Sequence, residues 1–340
     1  MSIHTLVGKS GYLFLINDTS NELHNHTHND YVPSKYNIHK YDTIKHKFLM
    51  VIFPDKSYLY ANKLPDKYIA KYRPALDIYK FHMKDNILDC YDFLKDEVDT
   101  YYKTDTHINN KGSILVYDKF IETINNKFNI NIVHTKYTVT NEPCNSLSEY
   151  NLGIGDLTWD NNKGNLILDS TEDIYYKINE TESVYCKYII TETSSIRLLS
   201  KEKNNLLTDV TNNHIGNIIV WDILSKYIIY KYNTNNSNNL VCVIFFDSFL
   251  AHVIQLYLGL FKNVYLIKDV FDIYIINKIN PDYVFEFRIE RFYKSFRTLS
   301  ISNNLVPDSM LGSICIFSVH SFQAFINTIL SSSLSEYVFA

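Results

Sequence analysis

Two short polar motifs carry the residue types that acyl transfer requires. The first, Asp247-Ser248, ends the apolar run Val241-Cys-Val-Ile-Phe-Phe246. Six such residues, rich in β-branched and aromatic types, match a strand buried on both faces. Ser248 then stands at the carboxyl end of that strand, where open α/β sheets bind ligands, on a turn into an amphipathic stretch. A serine there is a candidate nucleophile. Its hydroxyl is weak unless an imidazole takes its proton and a carboxylate fixes that imidazole's tautomer. The second motif, Asp105-Thr-His107, offers both. An aspartate two positions before a histidine, on a turn before a helix, can reach the ring's Nδ1 while Nε2 faces the serine. The blander reading makes Asp247-Ser248 an N-cap of the following helix and Asp105-Thr-His107 a capping turn.

The elements that must hold these residues are legible in outline. Gly11-Tyr-Leu-Phe-Leu15 and Phe48-Leu-Met-Val-Ile-Phe53 read as buried strands, and the polar stretch between them, with His24, His26 and His28, reads as a loop. Apolar residues at helical spacing predict a helix over Gly112 to Phe128, directly after Asp105-Thr-His107. From about 141 to 239 the pattern turns β-rich. Asp173 to Ile178 and Val184 to Ile190 are expected as strands of an antiparallel insertion. After Ser248 the rhythm is a helix around Leu250 to Phe261, a strand at Val264 to Ile267, a helix around Val270 to Lys278 and a strand at Tyr283 to Phe287. Such alternation predicts an α/β fold with a parallel sheet flanked by helices.

Composition narrows the function classes. With 340 residues, 46% of them hydrophobic, the chain can bury a substantial core. A formal charge of -4 gives no electrostatic reason to expect a nucleic acid partner. The N-terminus shows no secretory signal. The cysteines, Cys90, Cys144, Cys186, Cys242 and Cys315, are odd in number and form no C-x-x-C pair, which suits a reduced, cytoplasmic protein with Cys242 as a core residue. Met310 to Leu330 is low in charge but too polar for an isolated membrane span. Lysine disappears after Lys294, so the fold is expected to end near 295, with 296–340 a tail or appendage. His24-Asn-His-Thr-His28 lacks a matching carboxylate pattern, and no metal or other cofactor is expected.

Six pieces in order extend the reading: Gly8-Lys-Ser-Gly-Tyr-Leu-Phe14; Pro54-Asp-Lys-Ser57 with Tyr60 and Leu64-Pro65; Thr104-Asp-Thr-His107 with Asn110-Lys-Gly112; Gly155-Asp-Leu157; Asp247-Ser-Phe249; and Asp282 through Glu290-Arg291. Over roughly residues 8 to 295 this series resembles the SGNH hydrolase-like domain of the alginate O-acetyltransferase (AlgX/AlgJ) family. In that family Asp-x-His precedes the serine, the reverse of ordinary SGNH esterases, and the order here is the same. The resemblance implies Ser248 as nucleophile, His107 as general base and Asp105 as its orienting partner. An acyl group would pass from an unidentified donor to Ser248 and then to a hydroxyl of a polysaccharide or oligosaccharide, or to water in an esterase. Two positions depart from the family's pattern: Phe246 replaces the usual glycine before Asp-Ser, and Ile108 replaces the aromatic after the histidine. They leave open a carbohydrate-binding or assembly protein that kept the fold without the chemistry. Asp247, Glu286, Arg288 and Arg291 are candidate substrate contacts. A salt-bridged surface at the end of the last strand is the simpler expectation for Glu286, Arg288, Glu290 and Arg291.

Overall fold

The structure is a computed structural model that describes residues 4–18, 20–30, 38–134, 136–144, 155–160, 165–166, 173–179, 187–190, 217–223, 226–232, 238–251 and 253–293. The expected tail at 296–340, with the apolar stretch Met310 to Leu330, lies outside the described residues. So do Val184 to Cys186.

The strands, in chain order, begin with β1 (His4–Val7), β2 (Leu13–Ile16), β3 (Lys47–Phe53), β4 (Ile87–Asp89) and β5 (Thr138–Cys144). They continue with β6 (Trp159–Asp160), β7 (Asn165–Leu166), β8 (Asp173–Asn179), β9 (Lys187–Ile190) and β10 (Asn217–Ile223). The last four are β11 (Lys226–Tyr232), β12 (Val241–Phe246), β13 (Asn263–Lys268) and β14 (Tyr283–Ile289). Eight of them form one sheet in the order β4-β3-β14-β12-β13-β11-β10-β9. The first five in that order are parallel. Beyond β13 the sheet continues with β11 and β10 as an antiparallel hairpin and β9 parallel to β10. The β-rich region from 141 to 239 thus supplies strands to the main sheet, while β5 and β8 form a separate antiparallel pair.

The parallel strands are largely apolar because both faces are covered. Alternate residues of each strand serve opposite cores. Leu49, Val51 and Phe53 of β3, Cys242, Ile244 and Phe246 of β12, and Phe285 and Phe287 of β14 face one cluster, which the helix Asn110–Phe128 completes with Val116, Phe120, Ile121 and Ile124. Met50, Ile52, Val243, Phe245 and Val284 face the other, under the helices Pro74–Met83 and Ile273–Ile279. Phe120 sits at the centre of the first layer, with its ring 4.9 Å from Phe285 and 5.0 Å from Phe287. The buried thiols of Cys90 and Cys242 are pushed well above the usual range by burial.

Asn109 fixes where the long helix begins, its side chain accepting from the Gly112 amide at 3.0 Å. Gly112 lets that first turn touch the preceding loop, since a Cβ there would lie 2.4 Å from the Thr100 carbonyl oxygen. Two expectations differ from what is found. The stretch from Leu250 is two short helices, Ser248–Ala251 and Ile254–Tyr257, joined by i to i+3 bonds from Val253 to Leu250 and Leu256 to Val253. The histidine-containing stretch is no loop but a helix, Glu22–Thr27. Asp18 organises its start by accepting from the amides of Ser20 and Glu22, and Leu23, Glu22 and His26 are buried beneath it. Among the described residues, no helix is long and apolar enough to cross a membrane.

Candidate active site

The turn after β12 is held by Asp247. One carboxylate oxygen accepts the amide of Phe249 at 2.9 Å, and the other accepts the amide of Ile289, the last residue of β14, at 2.8 Å. The clamp ties the elbow to the adjacent parallel strand and sets Ser248 as the first residue of its helix, so the amide of Ser248 has no partner within that helix. Phe246 turns its side chain into the core, where it is 1% exposed.

His107 reaches this elbow from the loop between Tyr101 and Asn109. Tyr101 and Ile108 form an antiparallel bridge, the Asn109 amide donates to the Thr100 carbonyl at 2.9 Å, and Ile108 is buried beside Gly112. The loop is pinned from below by Lys56, whose ammonium donates to the carbonyls of Lys103 at 2.7 Å and Asp105 at 2.9 Å. His107 Nε2 stands 2.9 Å from Ser248 Oγ, and Nδ1 stands 2.6 Å from Asp105 Oδ1. The same Asp105 oxygen accepts the His107 amide at 2.8 Å. The structure therefore brings Asp105, His107 and Ser248 into one hydrogen-bonded chain. The imidazole packs 4.9 Å from the Phe249 ring, which in turn lies 5.5 Å from Phe53 and 6.0 Å from Tyr101.

Electrostatics reinforce the pairing. Burial by itself would depress the basicity of His107, but the adjacent Asp105 carboxylate outweighs it and raises the imidazole above its ordinary value. Burial likewise opposes ionisation of Asp105, yet the imidazolium and the amides of Asp156 and His107 hold its carboxyl well below the usual range. A neutral imidazole with its Nδ1 proton directed at a carboxylate presents Nε2 as an acceptor, the state a general base requires.

The four candidate substrate contacts are all buried. Asp247 is the elbow clamp. Glu286 and Arg288 project from β14 on the Val284 face of the sheet, opposite Phe285 and Phe287. There Glu286 accepts from the Tyr41 hydroxyl at 2.6 Å and from Arg288 Nε at 3.0 Å, while Arg288 Nη2 donates to the Asp269 carbonyl at 3.0 Å. Arg291 lies under the elbow, its Nη1 3.1 Å from both Glu22 Oε2 and Asp55 Oδ1. None of Glu286, Arg288, Glu290 and Arg291 forms the expected surface, since all are buried. Their charges are instead neutralised inside the protein: Glu286 and Arg288 pair with each other, and Glu290 and Arg291 with partners far away in sequence.

That buried network was not legible in the sequence. Arg73 forms a two-pronged pair with Asp89 (2.7 and 3.0 Å) and a third bond to Glu290 at 2.7 Å. His26 points inward, with Nε2 2.9 Å from Asp55 Oδ2 and Nδ1 2.7 Å from the Tyr72 carbonyl. A carbonyl only accepts, so Nδ1 carries a proton, and a carboxylate opposite Nε2 favours a second one. Although burial disfavours the cation, Asp55 and Glu290 raise the pKa of His26 to about 9. His24 and His28 face outward with their rings stacked 4.2 Å apart, so the three histidines do not converge on a metal. Glu22 is pushed up to about 7 by burial and by the neighbouring Asp55 charge. Both groups bind protons more tightly when folded. The share from Glu22 is complete below about pH 4.5 and fades as the pH rises through 7. That from His26 is complete below 6.5 and is lost through 9. The depressed carboxyls of Asp89, opposed by burial but held by Arg73, and of Glu286 add stability that fades only below about pH 4. Thermal melts should therefore give the highest Tm near pH 4 to 5 and a decline to pH 9, worth up to about 3 kcal/mol for His26. His26→Gln should flatten that alkaline decline, and a wild-type Tm constant from pH 6.5 to 9 would contradict the assignment.

No family model and no curated protein sequence matches the chain. Solved structures are similar in fold. Bacillus cereus PatB1, 16% identical, gives a TM-score of 0.56 over 86% of this chain and 98% of that one. A PatB1 structure with a sulfonyl adduct, 17% identical, gives 0.52 over 86% and 97%. The O-acetyltransferase domain of Pseudomonas putida AlgJ, 11% identical, gives 0.43 over 95% of this chain and 99% of that one. The likeness to PatB1 is one of fold, a mixed α/β arrangement with helices flanking a five-stranded parallel sheet.

Proposed function

We propose that the protein is a carbohydrate O-acyltransferase that works through an acyl-Ser248 intermediate. The observation that carries this reading is the continuous chain from Asp105 Oδ1 through the His107 ring to Ser248 Oγ, with contacts of 2.6 and 2.9 Å. Ser248 Oγ attacks the carbonyl carbon of the donor while its proton passes to His107 Nε2. Collapse of the tetrahedral intermediate breaks the bond to the leaving group, which takes that proton, and Ser248 is left as an ester. A sugar hydroxyl then gives its proton to the same Nε2 and attacks the ester. The acyl group moves to the sugar and Ser248 regains its hydrogen. Asp105 keeps the ring in the required tautomer and stabilises the transient imidazolium. With the Phe249 amide committed to Asp247, the amide of Ser248, at the start of its helix, is the backbone donor offered to the forming oxyanion. The acetyl group and the carbohydrate acceptor rest on the resemblance of the ordered motifs to the alginate O-acetyltransferases.

Intact-mass and peptide analysis tests the nucleophile directly. After incubation with an activated acetyl ester or phenylmethanesulfonyl fluoride, the peptide bearing Ser248 should gain one acetyl or one sulfonyl group, and Ser248→Ala should gain neither. Faster loss of the acetyl group when a glycan is added would mark a transferase. An unmodified Ser248 together with no ester turnover would overturn the proposal in favour of a binding protein on the same fold.

A further inference from the structure

The segment Gly155-Asp-Leu157 lies against the Asp105-Thr-His107 turn, 50 residues away in sequence. Asp156 grips the middle residue of that turn with both carboxylate oxygens. Oδ1 accepts the Thr106 amide at 2.7 Å, and Oδ2 accepts the Thr106 hydroxyl at 2.6 Å. Its own amide donates to Asp105 Oδ2 at 3.0 Å, the oxygen that His107 leaves free. Asp156 Oδ2 also stands 3.8 Å from His107 Nδ1.

The segment is itself anchored. The Leu157 amide donates to the Thr104 carbonyl at 3.1 Å, its side chain is buried, and its carbonyl accepts from the Thr5 hydroxyl at 2.8 Å. Gly155 permits the approach, because a Cβ would lie 2.4 Å from Thr104 Oγ1 and 2.5 Å from the Thr104 carbonyl oxygen. Neither oxygen of Asp105 is then free to swing away from the imidazole, and the Nδ1 edge of His107 faces two carboxylates rather than one.

We infer that Asp156 is a positioning residue of the site: it locks the Asp105 carboxylate and the Asp105-Thr106-His107 turn in the geometry that aims Nε2 at Ser248, and its charge tunes the basicity of His107. The inference rests on the reading of His107 as the general base. The charged groups facing His107 are Asp105 from its own turn and Asp156 from the clasp, which favour the cation, and Arg291 beyond β14, which opposes it.

Two substitutions separate the two parts of the role. Asp156→Asn keeps the shape and most of the hydrogen bonds but removes the charge; Asp156→Ala removes both. The His107 ring can be titrated by NMR, assigned with His107→Gln, and the rate of Ser248 modification by phenylmethanesulfonyl fluoride can be followed against pH. In Asp156→Asn the His107 pKa and the acid limb of the rate profile should both move down by about half a unit, because one of two facing carboxylates is neutralised. In Asp156→Ala the maximal modification rate should fall about 10- to 100-fold, the loss expected when a supporting hydrogen-bond partner of a reactive group is removed. A His107 pKa in Asp156→Asn equal to wild type, with an unchanged rate in Asp156→Ala, would overturn the inference. The NMR titration decides the matter even if wild-type Ser248 does not react, an outcome that would count against the proposed function and leave the clasp standing.

Discussion

In assays with an activated acetyl ester, Ser248→Ala and His107→Ala should each lower kcat/KM by about 1,000-fold or more, with Asp105→Asn losing about 100- to 10,000-fold. The losses should not add. Once Ser248 is gone the imidazole has no proton to accept, so Ser248→Ala combined with His107→Ala should be no worse than Ser248→Ala by more than a few-fold. This non-additivity distinguishes a working unit from three residues that merely support the fold. The geometry requires it, because each group touches the next: Asp105 holds Nδ1, and Nε2 holds Oγ. Activity within tenfold of wild type in Ser248→Ala would remove the serine from the chemistry.

The second large effect is on stability. Arg291→Ala should destabilise the protein by about 3–5 kcal/mol, read from urea unfolding, because it removes the buried cation that Glu22 and Asp55 share, leaving His26 beside Asp55 and Glu22 to take up a proton. The side chains of Glu22 and Asp55 are 2% and 1% exposed, and Arg291 Nη1 contacts both. Glu22 also accepts from the Ser57 hydroxyl and amide, at 2.6 and 3.2 Å. Glu22→Gln should therefore cost much less, since at neutral pH that carboxyl already binds a proton readily. A loss below about 1 kcal/mol in Arg291→Ala would mean that water reaches the network and screens it. Activity should fall in the same variant, because the guanidinium lies 5.4 Å from the Phe249 ring on which His107 packs.

The contrast between these two sets of residues explains what could be read in advance. Ser248 and His107 announce themselves through local context: a strand that stops at Asp-Ser, and an Asp-x-His before an amphipathic helix. Both signals depend only on neighbours in sequence. The alternation after Ser248 marks the parallel strands β13 and β14 for the same reason. The network of Glu22, His26, Asp55, Arg73, Asp89, Glu290 and Arg291 has no such local mark. Its pairs are as much as 269 residues apart, so each member read alone is a solvated charge, and the polar stretch around His26 reads as a loop. The available signal was collective. Asp55, Asp89, Asp247 and Glu290 all sit at or just past the carboxyl ends of apolar strands, and a charge repeated at one edge of a buried sheet needs a partner there. The clasp at Asp156 fell between. Its tripeptide belonged to the ordered motifs, but only the fold shows that it touches the Asp105 turn.

The place of β14 bears on how the molecule is made. The last strand of the described chain lies in the middle of the sheet, between β3 and β12. While residues 283–289 are still unsynthesised, two strands with buried, apolar sequences have no neighbour on their facing edges, and the elbow lacks the Ile289 amide to which Asp247 is tied. Emergence of the chain from the ribosome therefore passes through a long interval with two adhesive edges open. Closure waits on a single late insertion that joins pairings of high contact order. The Ser248 elbow is thus completed by the same event that completes the sheet, so a chain interrupted before β14 should lack the finished elbow and be prone to associate with other copies of itself.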